Sequence, residues 1–562
     1  MARNLPDGYT SRCEAQYDIP GSAPAERLQQ VYEFARYLSE RGAIDRIIAI
    51  GSTSIAGLKA LDLALPAVCI DHPSNRDFVT TNLPTAGFLE WDPQTSLPAV
   101  PSSPLAKTLI LCADLIGRLE RPEVLLRELA GLSLQCAYII ITTADRARGR
   151  GFMDNGPPPE PAYTMDWTAD EFARFMLACG FKKNFLIGYT FSGGLDSPKN
   201  TILAIAGREA TFSPPHAVRT VTAIMHAYNE EDVVASVAQH LKTEGVQLHL
   251  IDNWSTDRTY EIAQALVNDG LCERVTRFPE SPPDDFDLSS LVAHVAEYAA
   301  KIDSDWIIYL DADEFRSAPW PQANLAEAIT FVDGLGYAAI DFTIANFYLT
   351  SNSHDQAFSP DSCKFFEFGR HPAHFLQVKA WKNQGRVVDL VSTGAHLAQF
   401  PDGPVYPLKF LNRHYTLRSA EQASRKILHD RVPRTERERR QRGWHDHYDE
   451  FRGATRVELW RRHELLYFDP NMFNADYLIE RLSGIGIEED RRGAISVAQW
   501  RTALADSQSK LDQAIRETEQ LKTERSRLAA SLAAMQNSIS WRVTRPLRRL
   551  RLLHRRFFGG SP

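Results

Sequence analysis

Two successive series of short apolar runs, with helical patterns between the runs, constrain this chain more than any other feature. Between residues 27 and 208 the runs "RIIAIG", "PAVCID", "TLILCAD", "CAYIIITT" and "NTILAIAGRE" read as strands. "RPEVLLRELAGL" and "TADEFARFMLACG" lie between them as helices, the second with Thr168 as N-cap, Glu171 three residues on and Gly180 as its stop. A second series begins near residue 219 with "VTAIMHAYN", "VQLHLIDN" and "WIIYL", and continues to "YAAIDFTIANFYL". Such alternation predicts a parallel sheet covered by helices on both faces. At 562 residues the chain is too long for one core. The expected fold is α/β, with two doubly wound domains followed by a helical, coiled-coil C-terminal region.

The second series carries the chemistry. "WIIYL" is apolar throughout, as a strand buried on both faces must be, yet it ends in Asp311, Asp313 and Glu314. The strand before it ends in "DN" (252–253), and the first ends in "AYNEED" (227–232). In an open α/β sheet the C-terminal ends of the strands border the ligand crevice. Three consecutive strands thus deliver polar groups to one edge, whereas a single D-x-D could be a polar turn. The formal net charge of −8 argues against a general nucleic-acid binder. The seven cysteines form no C-x-x-C pair, and several sit in apolar runs, so they read as buried thiols in a reducing compartment. No signal peptide and no apolar run of about 18 residues is visible, so the chain is expected in the cytoplasm or on the inner membrane face.

The triplet A-Y-N-E, I-D-N-x-S-T-D-x-T and L-D-A-D-E resembles the nucleotide-sugar half of a family 2 glycosyltransferase with a GT-A fold, over about residues 219–430. The resemblance implies an inverting enzyme, and the tail "SISWRVTRPLRRL" resembles the C-terminal ends of bacterial cell-surface polysaccharide glycosyltransferases, which implies a role in that synthesis. The family 2 resemblance implies a nucleotide-sugar donor, with Ala227, Tyr228 and Glu230 lining the nucleotide pocket, Asp252 at the base and Asp311 at the ribose or a metal-bound water. Base identity stays open, because the family's second Asp is Asn253 here. Asp313 is the expected ligand of Mn²⁺ or Mg²⁺, hard cations suited to carboxylate and diphosphate oxygens. His414 is a further candidate ligand, with His396 a rival, and Arg418 or Lys426 suit the donor phosphates. Direct displacement needs a carboxylate base, for which Glu367 is the first choice and Asp389 the rival.

Residues 1–210 resemble a class I methyltransferase, with Gly51, Asp71 and Asp114 as the implied contacts of S-adenosylmethionine. Ala49 replaces the usual acid before the loop, and a central glycine is missing, so a degenerate or docking domain is the preferred reading. Residues 211–218 read as a linker, 431–504 as a helical extension and 505–540 as a coiled coil suited to self-association. The basic, aromatic-flanked segment 541–562 suits an anionic membrane surface, where a glycan or lipid-linked acceptor would be met. The rival readings are a bifunctional glycosyltransferase and methyltransferase, a nucleotidyltransferase, and a non-catalytic scaffold.

Overall fold

The computed structural model describes residues 3–12, 28–42, 44–51, 57, 65–99, 105–283, 286–348, 350, 358–369, 377–395, 398–399, 403–435, 462–484 and 527. His396, the coiled coil and the basic tail lie outside these, apart from Arg527. Residues 1–487 form one compact unit and 488–562 a second.

The first sheet has seven strands: β1 Arg46–Ile50, β2 Ala67–Asp71, β3 Gly87–Glu90, β4 Thr108–Cys112, β5 Tyr138–Ala144, β6 Leu186–Thr190 and β7 Thr201–Ala206. Their order is β3-β2-β1-β4-β5-β7-β6. All neighbours are parallel except β7, which is antiparallel to both β5 and β6. This is the doubly wound sheet that the sequence implied. The expected strands fall where the apolar runs lie; β3 and β6 are additions, because their half-exposed residues break the apolar pattern. The helix Ala169–Ala178 carries the expected capping box between Thr168 and Glu171.

The second sheet begins with β8 Val221–Ala227, β9 Gln247–Asp252, β10 Arg274–Arg277 and β11 Trp306–Asp311, all parallel in the order β10-β9-β8-β11. Helices Val234–Thr243 and Thr259–Asn268 pack into one core, while Leu288–Ala299 packs into another. The chain therefore reverses direction across the sheet between β8 and β11, and the C-terminal ends of these strands border the switch-point crevice at which open α/β sheets bind ligands.

Beyond β11 the sheet turns mostly antiparallel, through β12 Glu314–Ser317, β13 Ala339–Phe347, β14 Phe365–Phe368, β15 Gln377–Lys382, β16 Val405–His414 and β17 Leu466–Tyr467. β16 pairs antiparallel with β12 and parallel with β13, so it threads from the crevice rim into the sheet.

One apolar core runs through both sheets, taking in Phe34, Leu38, Leu109 and Leu203 from the first and Val221, Trp306, Trp320 and Phe410 from the second. Phe212, between the two sheets, is buried and stacks on Trp320, whose indole N–H donates to the Ala210 carbonyl at 2.9 Å. Asp341 pairs with Lys409 at 3.3 Å and with Arg41 of the first sheet's opening helix at 3.8 Å. Five cysteines (Cys69, Cys112, Cys136, Cys179 and Cys272) are buried free thiols, and Cys363 is half-buried. No helix among the described residues is long and apolar enough to cross a membrane.

Candidate active site

The crevice is built from strand ends. β11 pairs with β8 over its whole length, so Asp311 stands beside His226, one residue before Ala227. β9 pairs with β8 in turn, bringing Ala227 level with Asp252. The residues expected at the nucleotide (Ala227, Tyr228, Glu230, Asp252 and Asp311) are therefore brought to one edge by parallel register.

Each acid meets a basic group. Asp313 is buried, and its Oδ2 accepts from Lys426 Nζ at 2.6 Å, with Arg418 at 3.8 Å. Its Oδ1 lies 3.4 Å from His414 Nε2. Burial opposes ionisation of Asp313, yet Lys426 first, then His414 and Arg418, hold its carboxyl well below the usual range. Burial lowers His414 too, but Asp313 beside it wins and raises the imidazole. Lys426 also reaches Glu230 at 2.8 Å. Asp311 is 37% exposed and faces His226 at 3.4 Å and Lys379 at 3.7 Å. It is the acid left most open to the crevice.

Glu314 is 1% exposed. It accepts from Arg316 at 2.6 Å, Asn412 at 2.8 Å and the Asp311 N–H at 3.1 Å. The acids after "WIIYL" therefore divide the work: Glu314 ties the turn to β16 and β15, while Asp311 and Asp313 face the crevice.

Arg418 departs from its expected place at the donor phosphates. It is fully buried, donating to Glu230, to both carboxylate oxygens of Asp232 at 2.7 and 2.8 Å, and to the Tyr415 carbonyl at 2.9 Å. A guanidinium so committed to two carboxylates forms the floor of the site. Asp389 spends its Oδ1 on the N–H groups of Val391 and Ser392, at 2.9 and 3.0 Å, and so caps a turn. Glu367 lies in β14 opposite Asn346 and accepts from Tyr348 at 3.1 Å.

Other site residues gave little or no sequence signal. Arg434 lies over the Tyr228 ring at 3.5 Å and donates to Asn253 Oδ1 at 3.0 Å. Arg277 pairs with Asp252 at 3.1 Å and lies over the rings of Tyr260 and Trp254. A seven-residue π-helix, Arg425–Arg431, carries Lys426 to Asp313, and Arg425 to the Asn229 carbonyl at 2.9 Å. Such widened turns recur at functional sites. Arg425 and Arg434 had only the basic run after "RHYTLRS" as a clue, which equally suits a solvated helix; Arg277 had none, and Lys426 was the one of these named for the donor phosphates.

Among the described residues no three His, Cys, Asp or Glu side chains converge as a ready-made metal cage. Mg²⁺ and Mn²⁺ at diphosphates need only one or two protein ligands, the rest being phosphate and water. Adjacent ligands at ~2.1 Å from such an ion stand about 3 Å apart. Asp313 Oδ1 and His414 Nε2, at 3.4 Å, fit that requirement.

The corresponding edge of the first sheet is differently furnished. Gly51 has φ +67°, and a Cβ there would lie 2.7 Å from a Leu115 methyl, so packing already demands glycine. Asp71 is buried and accepts from the His72 N–H at 2.7 Å. Asp114 accepts from Arg118 at 2.9 Å and from the Tyr163 hydroxyl.

Residues 222–348 match the family model described as "Glycosyl transferase family 2". Among solved structures, a SAM-dependent methyltransferase from Aquifex aeolicus is 18% identical, over 33% of this chain and 93% of that one, with a TM-score of 0.23. S. aureus TarS 1-349 in complex with UDP is 18% identical, over 29% of this chain and 46% of that one, with a TM-score of 0.19. A chain of the Pnkp1/Rnl/Hen1 RNA repair complex is 17% identical over 32% of this chain, which spans only 41% of its length; the TM-score is 0.23. A search of curated proteins returned no match. The strand ends that converge on this edge thus lie inside the matched segment, so residues 222–348 of this chain resemble a family 2 glycosyl transferase domain.

Proposed function

We propose that the chain moves a sugar from a nucleotide-sugar donor to a glycan or lipid-linked acceptor, in a metal-dependent, inverting reaction of bacterial surface-polysaccharide synthesis. The observation that carries this reading is the set of acids at the β8, β9 and β11 ends, each balanced by a base, inside a crevice of the matched domain. A divalent ion held by Asp313 and His414 would supply Lewis acidity to the departing diphosphate. Tyr228 and Asp252 hold the nucleoside. Lys426, now shared by Glu230 and Asp313, has donors to turn toward phosphate oxygens. Glu367 takes the acceptor's hydroxyl proton as that oxygen bonds to the anomeric carbon and the bond to diphosphate breaks.

The first sheet serves as a buttress in this reading and does not turn over S-adenosylmethionine. Its Asp114 is already bound by Arg118 and Tyr163, and its apolar core is continuous with that of the second sheet. The coiled coil and basic tail would gather copies of the chain on an anionic membrane. The test is a thermal-shift screen of sugar nucleotides with Mn²⁺ or with chelator. A Mn²⁺-dependent rise in melting temperature for one nucleotide class is expected, and no response to any of them removes the reading.

A further inference from the structure

Four residues stand in one row across the second sheet. Glu314 in β12 pairs with His414 in β16, His414 with Asn346 in β13, and Asn346 with Glu367 in β14. Directly paired residues project on the same face, so this row runs from the acids after β11 to the carboxylate proposed as base. Asn346 is its hinge. It is buried at 6% exposure, and its Oδ1 lies 2.9 Å from His414 Nδ1. The other ring nitrogen, Nε2, faces Asp313 Oδ1 at 3.4 Å and Thr416 Oγ1 at 2.9 Å.

An amide oxygen can only accept, so Asn346 fixes Nδ1 as the N–H that donates to it. That bond sets both the ring's orientation and the nitrogen left to face Asp313. Histidines that hold a cation through one nitrogen are commonly held through the other by such an acceptor. A free imidazole would turn about its side-chain bonds, and Thr416 alone, 3.3 Å from Nδ1 and 2.9 Å from Nε2, does not distinguish the two nitrogens.

We propose that Asn346 is a positioning residue of the transfer reaction, presenting Nε2 of His414 to the cation beside Asp313. The inference rests on the metal-dependent reading above. It has a separate test in three full-length variants, Asn346→Ala, Asn346→Asp and His414→Ala. UDP binding is measured calorimetrically with Mn²⁺ and with chelator, and melting temperatures are recorded alongside.

The expected result is that Asn346→Ala loses roughly 10–100-fold of the Mn²⁺-dependent gain in UDP affinity. His414→Ala should lose at least as much, and UDP binding in chelator should stay unchanged. Asn346→Asp, which keeps an acceptor at the same place, should recover most of the gain. An Asn346→Ala variant with the parent's gain overturns the proposal, as does an Asp variant no better than Ala. A parent whose UDP affinity ignores Mn²⁺ removes the metal reading, and this inference falls with it.

Discussion

The two sheets share a plan but not a use of it. Each is doubly wound and each reverses strand order beside its first strand, between β1 and β4 in one and between β8 and β11 in the other. At the first edge the polar groups close on one another: Asp114 with Arg118 and Tyr163, Asp71 with the backbone beside it. At the second edge acids and bases are packed in numbers that strain simple pairing, with Lys426 shared by two carboxylates and Asp311 left 37% exposed. The comparison teaches that topology makes a crevice available, while side-chain satisfaction decides whether the crevice still has something to bind.

The sharpest way to break this comparison is to remove the same charge from both edges. Asp313→Asn should lower kcat for sugar transfer by roughly 10²–10³-fold, the range for losing one preorganised electrostatic group. Asp114→Asn should leave the rate per folded molecule unchanged. Equal losses in a steady-state assay would mean that the first edge also takes part.

Stability should respond more evenly. Arg418→Ala leaves Glu230, 4% exposed, with only the Lys426 that Asp313 also claims, and Arg118→Ala removes the cationic partner of Asp114 in an equally buried place. Breaking a buried pair from one side costs about 3–5 kcal/mol, so urea unfolding should show losses of that order in both variants. A much smaller loss at Arg118 would show that Tyr163 alone satisfies Asp114.

Ligand binding sharpens the contrast further. Titration of S-adenosylmethionine into the full-length chain should give no heat at ligand concentrations up to about 1 mM, a ceiling near −4 kcal/mol of binding free energy. Measurable heat that vanishes in Tyr163→Ala or Asp71→Ala would return the first edge to the list of working sites.

The smallest effect separates framework charge from site charge. Burial raises Glu244 to about 7, from 4.5 unperturbed, although it accepts from the Leu325 N–H at 2.7 Å. Between those values the unfolded chain has released a proton that the folded chain keeps, so stability falls as pH rises through the window. Glu244→Gln keeps an acceptor and removes that slope. Its unfolding midpoint should exceed the parent's at pH 8 and converge with it near pH 4.5, with transfer activity unchanged at either pH.

Much of the framework was legible from residue order. Apolar runs such as Ile47–Ile50 and Trp306–Leu310 are strands buried on both faces, and Thr168 with Glu171 marks a helix start, because burial and capping depend on near neighbours in the chain. The strand-end acids were legible for the same reason: an abrupt change from apolar to charged is local. Strands β3 and β6 were not, since half-exposed strands carry no apolar run. Nor were the partners of the acids. Lys379 alternates within a strand, and Lys426 and Arg434 lie in a basic stretch more than 110 residues from the groups they meet.

The sequence by itself determined that two sheets form, where five of the seven strands of the first and four of the ten of the second lie, and that acids gather at the ends of β9 and β11. Only the tertiary structure decided that Arg418 serves the floor, that Asp389 caps a turn, that Glu314 is buried and that Asn346 holds His414. The reason is physical: burial periodicity is written along the chain, whereas the compensation of buried charge is settled between segments that meet only after folding.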